Sequence, residues 1–214
     1  MQQIKPAKIK TLFLDIGGVL LTNGWGRDFR QRAVDKFGFD QKESEERHHL
    51  TFDTYEEGKL TLDEYLGRVF FHEPRDFSKE DFKNFMFEQS EALPGALEYF
   101  IVLKNQHNLK VIAVSNEGRE LNEYRIKKFK LNDLFNAYIS SCYVHLRKPD
   151  KDMLRMACDI SQTKPEEALY VDDRDMFVEV AQAYGIPALH YTGLEEAKKY
   201  IETLSFHTPE KLKI

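Results

Sequence analysis

Four segments of this 214-residue chain carry residues able to do chemistry. In LFLDIGGVLLTNG an apolar run closes on Asp15, with Gly17 and Gly18 just behind it. A carboxylate held on such a turn can attack a phosphoryl group, forming an aspartyl-phosphate that water later opens. The glycines leave backbone N–H groups open to close approach by anionic oxygens. From this segment alone, an aspartate that caps the turn explains Asp15 equally well. In VIAVSNEG a second run closes on Ser115, with Asn116 beside it and a helix predicted from near Arg119. A hydroxyl and N–H groups at that place can hold an oxyanion, and an ordinary helix cap leaves the same trace. In HLRKPDKDMLRMA, Lys148 precedes Pro149, whose ring suits the first turn of a helix. A lysine there can neutralise both a phosphate and an anionic nucleophile, and Arg147 offers a second cation or a solvated surface charge. Finally, ALYVDDRDMFVEVA closes on Asp172 and Asp173. Adjacent carboxylates repel each other, and a hard divalent cation with oxygen ligands, most simply Mg²⁺, resolves that conflict. Asp175 reads instead as an acidic residue at a helix N-terminus.

These residues must be delivered by the elements before them. Apolar runs at 9–14, 109–114 and 168–171 read as buried strands, and 137–140 and 187–191 as weaker ones. Helical spacing recurs at 95–104, 121–129, 149–158, 175–184 and 194–204. Alternation of this kind predicts an α/β fold, a Rossmann-like parallel sheet doubly wound by helices. Such sheets bind ligands beyond the carboxyl ends of their strands, the edge to which Asp15, Ser115 and the Asp172–Asp173 pair belong.

Residues 23–92 break the alternation. They hold no convincing strand, yet contain 10 of the 16 phenylalanines. Phe29, Ala33 and Phe37, then Tyr65, Val69 and Phe70, recur at helical intervals, while Thr61 with Glu64 and Ser78 with Asp81 read as helix starts. The expectation is an all-α insert over 23–92, with its own aromatic core, set into a domain formed by 1–22 and 93–214. Of the formal net charge of −5, the insert carries −6, from 11 basic and 17 acidic residues, and the remainder +1.

That balance argues against a general nucleic-acid binder, which needs a basic face. No apolar run approaches the roughly 20 residues of a membrane span. The opening MQQIKPAKIK lacks the apolar core of a signal peptide. Two cysteines, Cys142 and Cys158, make neither a disulfide framework nor a zinc site. The expectation is a cytoplasmic chain that acts on a small molecule, with no nucleic-acid or membrane partner.

In their order and spacing, the four motifs and the insertion after the first resemble the haloacid dehalogenase-like (HAD) hydrolase superfamily. FLDIGGVL, AVSNEG, LRKPDKDML and YVDDRDMFVEVA, with YEEGKLTLDEYL in the insert, are most similar to its bacterial sugar-phosphatase-like proteins and to the N-terminal phosphatase domain of soluble epoxide hydrolases. The resemblance implies a HAD-like core under a helical cap, and a Mg²⁺-dependent phosphatase of a small phosphorylated metabolite, with sugar phosphates the first class to consider. It makes Asp15 the nucleophile, Ser115 the phosphate-binding hydroxyl and Lys148 the stabilising cation, with Gly17, Gly18 and Asn116 around the phosphate. Mg²⁺ falls to Asp15, the Gly17 carbonyl oxygen and Asp173, with Asp172 in or near the shell.

One departure matters. Most family phosphatases carry a second Asp at the position of Gly17, which protonates the leaving oxygen. Glycine moves no proton, and such help is worth about 10²–10⁴-fold in rate. His48 and His49 have suitable chemistry, although solvated helix surface is their simpler reading. His145, where relatives often have Gly, lines the entrance or packs. Trp25, Arg27 and Arg30 either meet the non-phosphate part of a substrate or, for the two arginines, stand in solvent. Two other functions fit Gly17. A 2-haloacid dehalogenase releases halide without needing a proton, but uses no metal and lacks the acid pair. A catalytically weak homologue would bind a phosphorylated ligand without efficient turnover.

Overall fold

A computed structural model describes residues 8–207; most of the opening MQQIKPAKIK, residues 1–7, lies outside them. The strands β1 (Thr11–Leu14), β2 (Lys110–Ser115), β3 (Ala137–Ser140), β4 (Ala168–Asp172) and β5 (Ala188–His190) form one sheet in the order β3-β2-β1-β4-β5. Every pairing is parallel, with Leu14 beside both Ala113 and Val171 and Ser115 beside Ser140. Each expected strand is present, some with shifted ends. Ile9, for instance, leaves the sheet ladder and bridges Phe206.

A sheet covered on both faces needs apolar side chains on both, and alternation along the strands divides them. Leu12, Leu14, Val111 and Ala113 join one core; Phe13, Ile112, Val114 and Ile139 join the other. The first face is covered by α5 (Ala96–His107) through Phe100 and Leu103 and by α10 (Leu194–Ile201) through Ala197 and Ile201. Behind the second lie α8 (Lys151–Ser161), through Met153, Leu154 and Ala157, and α9 (Asp175–Ala183), through Val178 and Ala181. The chain also forms α6 (Arg119–Lys128) and the single turn α7 (Ser141–Val144). The fold is thus the doubly wound α/β architecture expected. Pro149 departs from its expected place. The Asp150 side chain accepts from the Asp152 N–H at 2.9 Å and caps α8, so the helix opens at Lys151 and Pro149 stays outside it.

Between β1 and α5 stand α1 (Arg27–Phe37), α2 (Gln41–Glu56), α3 (Leu62–Val69) and α4 (Lys79–Glu88). Thr61 and Glu64 form a reciprocal capping box on α3, and Ser78 caps α4 by accepting from the Asp81 N–H. These helices pack around Phe82, whose ring meets those of Trp25, Phe37, Phe39, Phe70, Phe71 and Phe77. The chain enters and leaves this unit through two adjacent segments, tied by Thr22 N–H to Glu91 C=O (2.9 Å) and Leu93 N–H to Leu20 C=O (2.9 Å). Among the described residues no helix is long and apolar enough to cross a membrane, and both cysteines are free and buried.

Candidate active site

Strand termini set the geometry of the site. Asp15 directly follows β1, its N–H bonded to the Val171 carbonyl at 3.0 Å, which fixes it against the end of β4. One carboxylate oxygen accepts from the Ile16 N–H (2.8 Å), and the other meets Lys148 Nζ at 3.0 Å. Lys148 Nζ also reaches Asp172 Oδ2 at 2.7 Å, so one ammonium joins the ends of two neighbouring strands. The same Asp172 oxygen accepts from the Tyr170 hydroxyl, and its other oxygen from the Arg174 N–H at 2.8 Å. Ser115, at the end of β2, is buried beside Asp15.

Burial governs these charges. It pushes the Asp15 carboxyl up to about 7; Lys148 and the Ser115 hydroxyl pull it down, while Asp172 raises it further. Burial disfavours the Lys148 ammonium, but Asp15 and Asp172 outweigh that and hold its pKa above the ordinary value. Lys148 is therefore charged wherever the carboxylates are.

Asp173 completes a group of three. Oxygens of Asp15, Asp172 and Asp173 lie within 4.8 Å of one another. Asp173 Oδ2 accepts from Asn23 Nδ2 at 3.2 Å, whereas its Oδ1 is buried with no partner. An orphaned carboxylate oxygen beside two other carboxylates fits a hard divalent cation. Gly18 is shaped by this acid: at φ +73° a Cβ would lie 2.2 Å from Asp173 Oδ2. Its N–H is bonded to the Leu21 carbonyl at 2.7 Å, so close packing explains this glycine without a phosphate. Asn116 is bonded to the backbone of Lys148. Its side chain accepts from the Lys148 N–H (2.8 Å) and donates to the Lys148 carbonyl (3.1 Å), clamping the backbone that carries the lysine.

Asp15, Gly17, Ser115, Asn116 and Lys148 line a cavity of about 380 Å³ together with Trp25, His48 and Tyr55 of the inserted segment. Most cations around it are already engaged. Arg30 forks onto Glu45 (2.6 and 2.8 Å) and the Trp25 carbonyl (2.8 Å), and is buried rather than solvated. Arg147 bonds Asp53 and Glu56 of α2, each at 2.6 Å. Arg27 lies exposed at the cavity. His49 is exposed as expected, but His48 is buried at the cavity wall because α3 packs Tyr65 against it. His145 does not line the cavity; it ends α7 with φ +58° and its Nδ1 meets the Glu57 carbonyl at 2.7 Å.

Three participants were not singled out in sequence. Tyr170 was legible, because alternation places it on the same side of β4 as Asp172. Glu117 and Arg125 form a buried ion pair at 2.5 Å. Arg125 also binds Ser90 Oγ (3.1 Å) and the Thr22 carbonyl (2.7 Å), gripping both connections to the insert. Nothing in their residue types marks that role.

Known proteins resemble this chain in sequence and in fold. The chain is 25% identical over 201 residues to flavin mononucleotide hydrolase 1 of Arabidopsis thaliana, covering 94% of this chain and 79% of that protein. It is 25% identical over 155 residues to the pyrophosphatase PpaX of Bacillus anthracis, covering 72% and 66% respectively. Its fold superposes on a HAD family enzyme of Bacteroides thetaiotaomicron solved with magnesium, with a TM-score of 0.76, 20% identity and coverage of 92% and 99%. An L-2-haloacid dehalogenase of Xanthobacter autotrophicus superposes with a TM-score of 0.62 at 18% identity, covering 91% and 83%. The sequence profile described as "Haloacid dehalogenase-like hydrolase" matches residues 20–190. That match takes in most of the chain, and the chain therefore belongs to the haloacid dehalogenase-like hydrolases.

Proposed function

We propose that this hydrolase is a Mg²⁺-dependent phosphatase of a small phosphorylated metabolite, working through an aspartyl-phosphate on Asp15. The observation that carries this is the orphaned Asp173 oxygen next to the Lys148-bridged pair Asp15 and Asp172. Two carboxylates besides the nucleophile fit a metal-assisted attack on an anionic group. They have no evident use in displacing halide from carbon. Relatives named as an FMN hydrolase and a pyrophosphatase, and a structural neighbour holding magnesium, support the same reading.

Asp15, the Gly17 carbonyl, Asp172 and Asp173 would hold the Mg²⁺, whose charge offsets that of the phosphate and favours the ionised nucleophile. An Asp15 oxygen attacks phosphorus as the bond to the leaving oxygen breaks, and that oxygen takes its proton from water, since Gly17 offers none. Lys148 neutralises both partners, and the Ser115 hydroxyl with the Gly17 backbone holds the transferred group. Asn116 positions Lys148, and Gly18 admits Asp173. Water then attacks phosphorus, releasing phosphate and restoring Asp15. In this reading residues 23–92 are a cap over the core of 1–22 and 93–214, excluding water from the cavity and meeting the rest of the substrate.

Phosphate release from a panel of metabolite esters, with Mg²⁺ or EDTA, tests the proposal. Turnover is expected only with metal, and Asp15→Asn should lower it at least about 10⁴-fold, as for loss of a nucleophile. Chloride release from 2-chloropropionate in EDTA would overturn the assignment in favour of a dehalogenase. Ligand-raised melting temperatures without hydrolysis across the panel would favour the binding homologue.

A further inference from the structure

The cavity lining contributed by the inserted helices contains a hydrogen-bond chain whose proton positions follow from counting donors. Trp25 Nε1–H can only donate, and it does so to the Tyr65 hydroxyl oxygen at 3.0 Å. Tyr65 is fully buried, and its one other hydrogen-bond partner among the described residues is His48 Nδ1 at 2.8 Å. If Nδ1 carried the imidazole proton, the phenol would accept twice and its own proton would be stranded in the core. Tyr65 therefore donates to Nδ1, and the proton of the neutral imidazole resides on Nε2.

That Nε2 has no protein partner among the described residues and is not sealed in the interior, and His48 lines the cavity. The ring is held in place by Tyr65 on one side and by Phe52, 4.5 Å away between centroids, on another. Burial, reinforced by Arg30, lowers its pKa to about 3, so it stays neutral across the physiological range. Such a ring is poorly suited to replace the proton donor missing at Gly17. The neighbouring Arg30 offers no competing cationic contact, because Glu45 and the Trp25 carbonyl take its fork.

We infer that His48 Nε2–H is a fixed, uncharged hydrogen-bond donor that selects phosphate esters bearing a hydroxyl or carbonyl oxygen on their non-phosphate part. The inference rests on the phosphatase reading of the same cavity and adds to it the chemical class of the leaving group. An ester lacking that oxygen would leave the N–H desolvated and unpaired, which is how a polar site rejects an apolar analogue.

Glucose 6-phosphate and cyclohexylmethyl phosphate make a suitable pair, since they share a six-membered ring and differ mainly in oxygens. His48→Phe preserves the ring packed on Phe52 and deletes the donor. It should raise KM for glucose 6-phosphate about 10- to 100-fold, with kcat changed less than about threefold. KM for cyclohexylmethyl phosphate should move less than about twofold. His48→Gln, which keeps an N–H near the Nε2 position, should recover most of the loss. Long-range proton–nitrogen NMR at pH 7 should find His48 protonated on Nε2. With Mg²⁺ present, glucose 6-phosphate should shift that resonance in Asp15→Asn protein while cyclohexylmethyl phosphate leaves it in place. A proton on Nδ1, or equal losses on the two esters in His48→Phe, would overturn the inference. If the wild type hydrolyses no ester, the phosphatase reading fails by itself. The ester-specific NMR shift then still supports the donor role, and its absence still refutes it.

Discussion

At the carboxyl edge of the sheet, Asp15, Asp172 and Lys148 are buried together and bound to one another. In the insert, six aromatic rings close around Phe82. The first arrangement adds little to stability, because desolvating ions offsets most of their attraction. Its value lies in holding charge where a reaction needs it. The second contributes through apolar area and edge-to-face contacts; the chain from Trp25 through Tyr65 to His48 pairs three of its polar groups, while the Tyr55 hydroxyl is buried with no partner among the described residues. A cavity between the two thus combines a charged floor with an aromatic wall bearing a neutral donor. Close fit joins them: a Cβ on Gly118, at the start of α6, would lie 2.1 Å from the Tyr55 ring of α2. Arg125 adds hydrogen bonds to Ser90 Oγ and the Thr22 carbonyl at the two connections, and Arg147 adds ion pairs to Asp53 and Glu56 of the insert.

Substitutions can test whether the two regions are as different, and as firmly joined, as this comparison holds. Arg125→Met should have the largest effect on folding, about 4 kcal/mol by urea denaturation, because Glu117 is left buried without its partner. If Glu117→Gln added to that variant restores none of the loss, the ion pair is not its cause. Phe82→Ala should cost about 3 kcal/mol by the same measurement, the penalty for emptying an aromatic core position. An unchanged midpoint would show that the aromatic cluster does not carry the insert.

Acid acts on buried groups in opposite senses: Asp15 and Glu56, both raised to about 7, favour the folded state as pH falls below that value, whereas His48 disfavours it. Its folded pKa of about 3 lies below the ordinary value of 6.5, so between them the unfolded chain binds more protons. This contribution is complete above about pH 6.5 and is lost as pH falls, the loss reaching about 2 kcal/mol at pH 5. The difference in stability between wild type and His48→Phe should carry this slope, and a difference that does not change with pH would mean that the ring is not desolvated. Smallest is Thr61→Ala, which removes the α3 capping box and should lower stability by about 1 kcal/mol. No change in the urea midpoint would place α3's stability entirely in its packed face.

Much of the core was legible because a two-face-covered parallel strand must be an uninterrupted apolar run, and its polar end marks the sheet edge. The helices of the insert were legible from their caps and phenylalanine spacing. One face of α2 was not. Its buried stripe is Ser44, His48, Thr51 and Tyr55, at helical spacing but mostly polar, while Leu50 on another face stands 76% exposed. A search for apolar periodicity therefore passes over the stripe and leaves His48 on the surface.

The sequence by itself determined which residues reach the reactive edge. Chain direction, strand length and the alternation of side chains follow from local pattern, and they carry Asp15, Ser115 and Asp172 to one line. Only the tertiary structure decided which charged groups remain available there. Arg30, Arg125 and Arg147 look alike as sequence, yet each is bound by a carboxylate brought to it by packing. Ion pairing depends on distance in space and on burial, neither of which residue type encodes. The same reason hid the His48 donor: its tautomer is set by Tyr65 and Trp25, two residues that folding alone brings together.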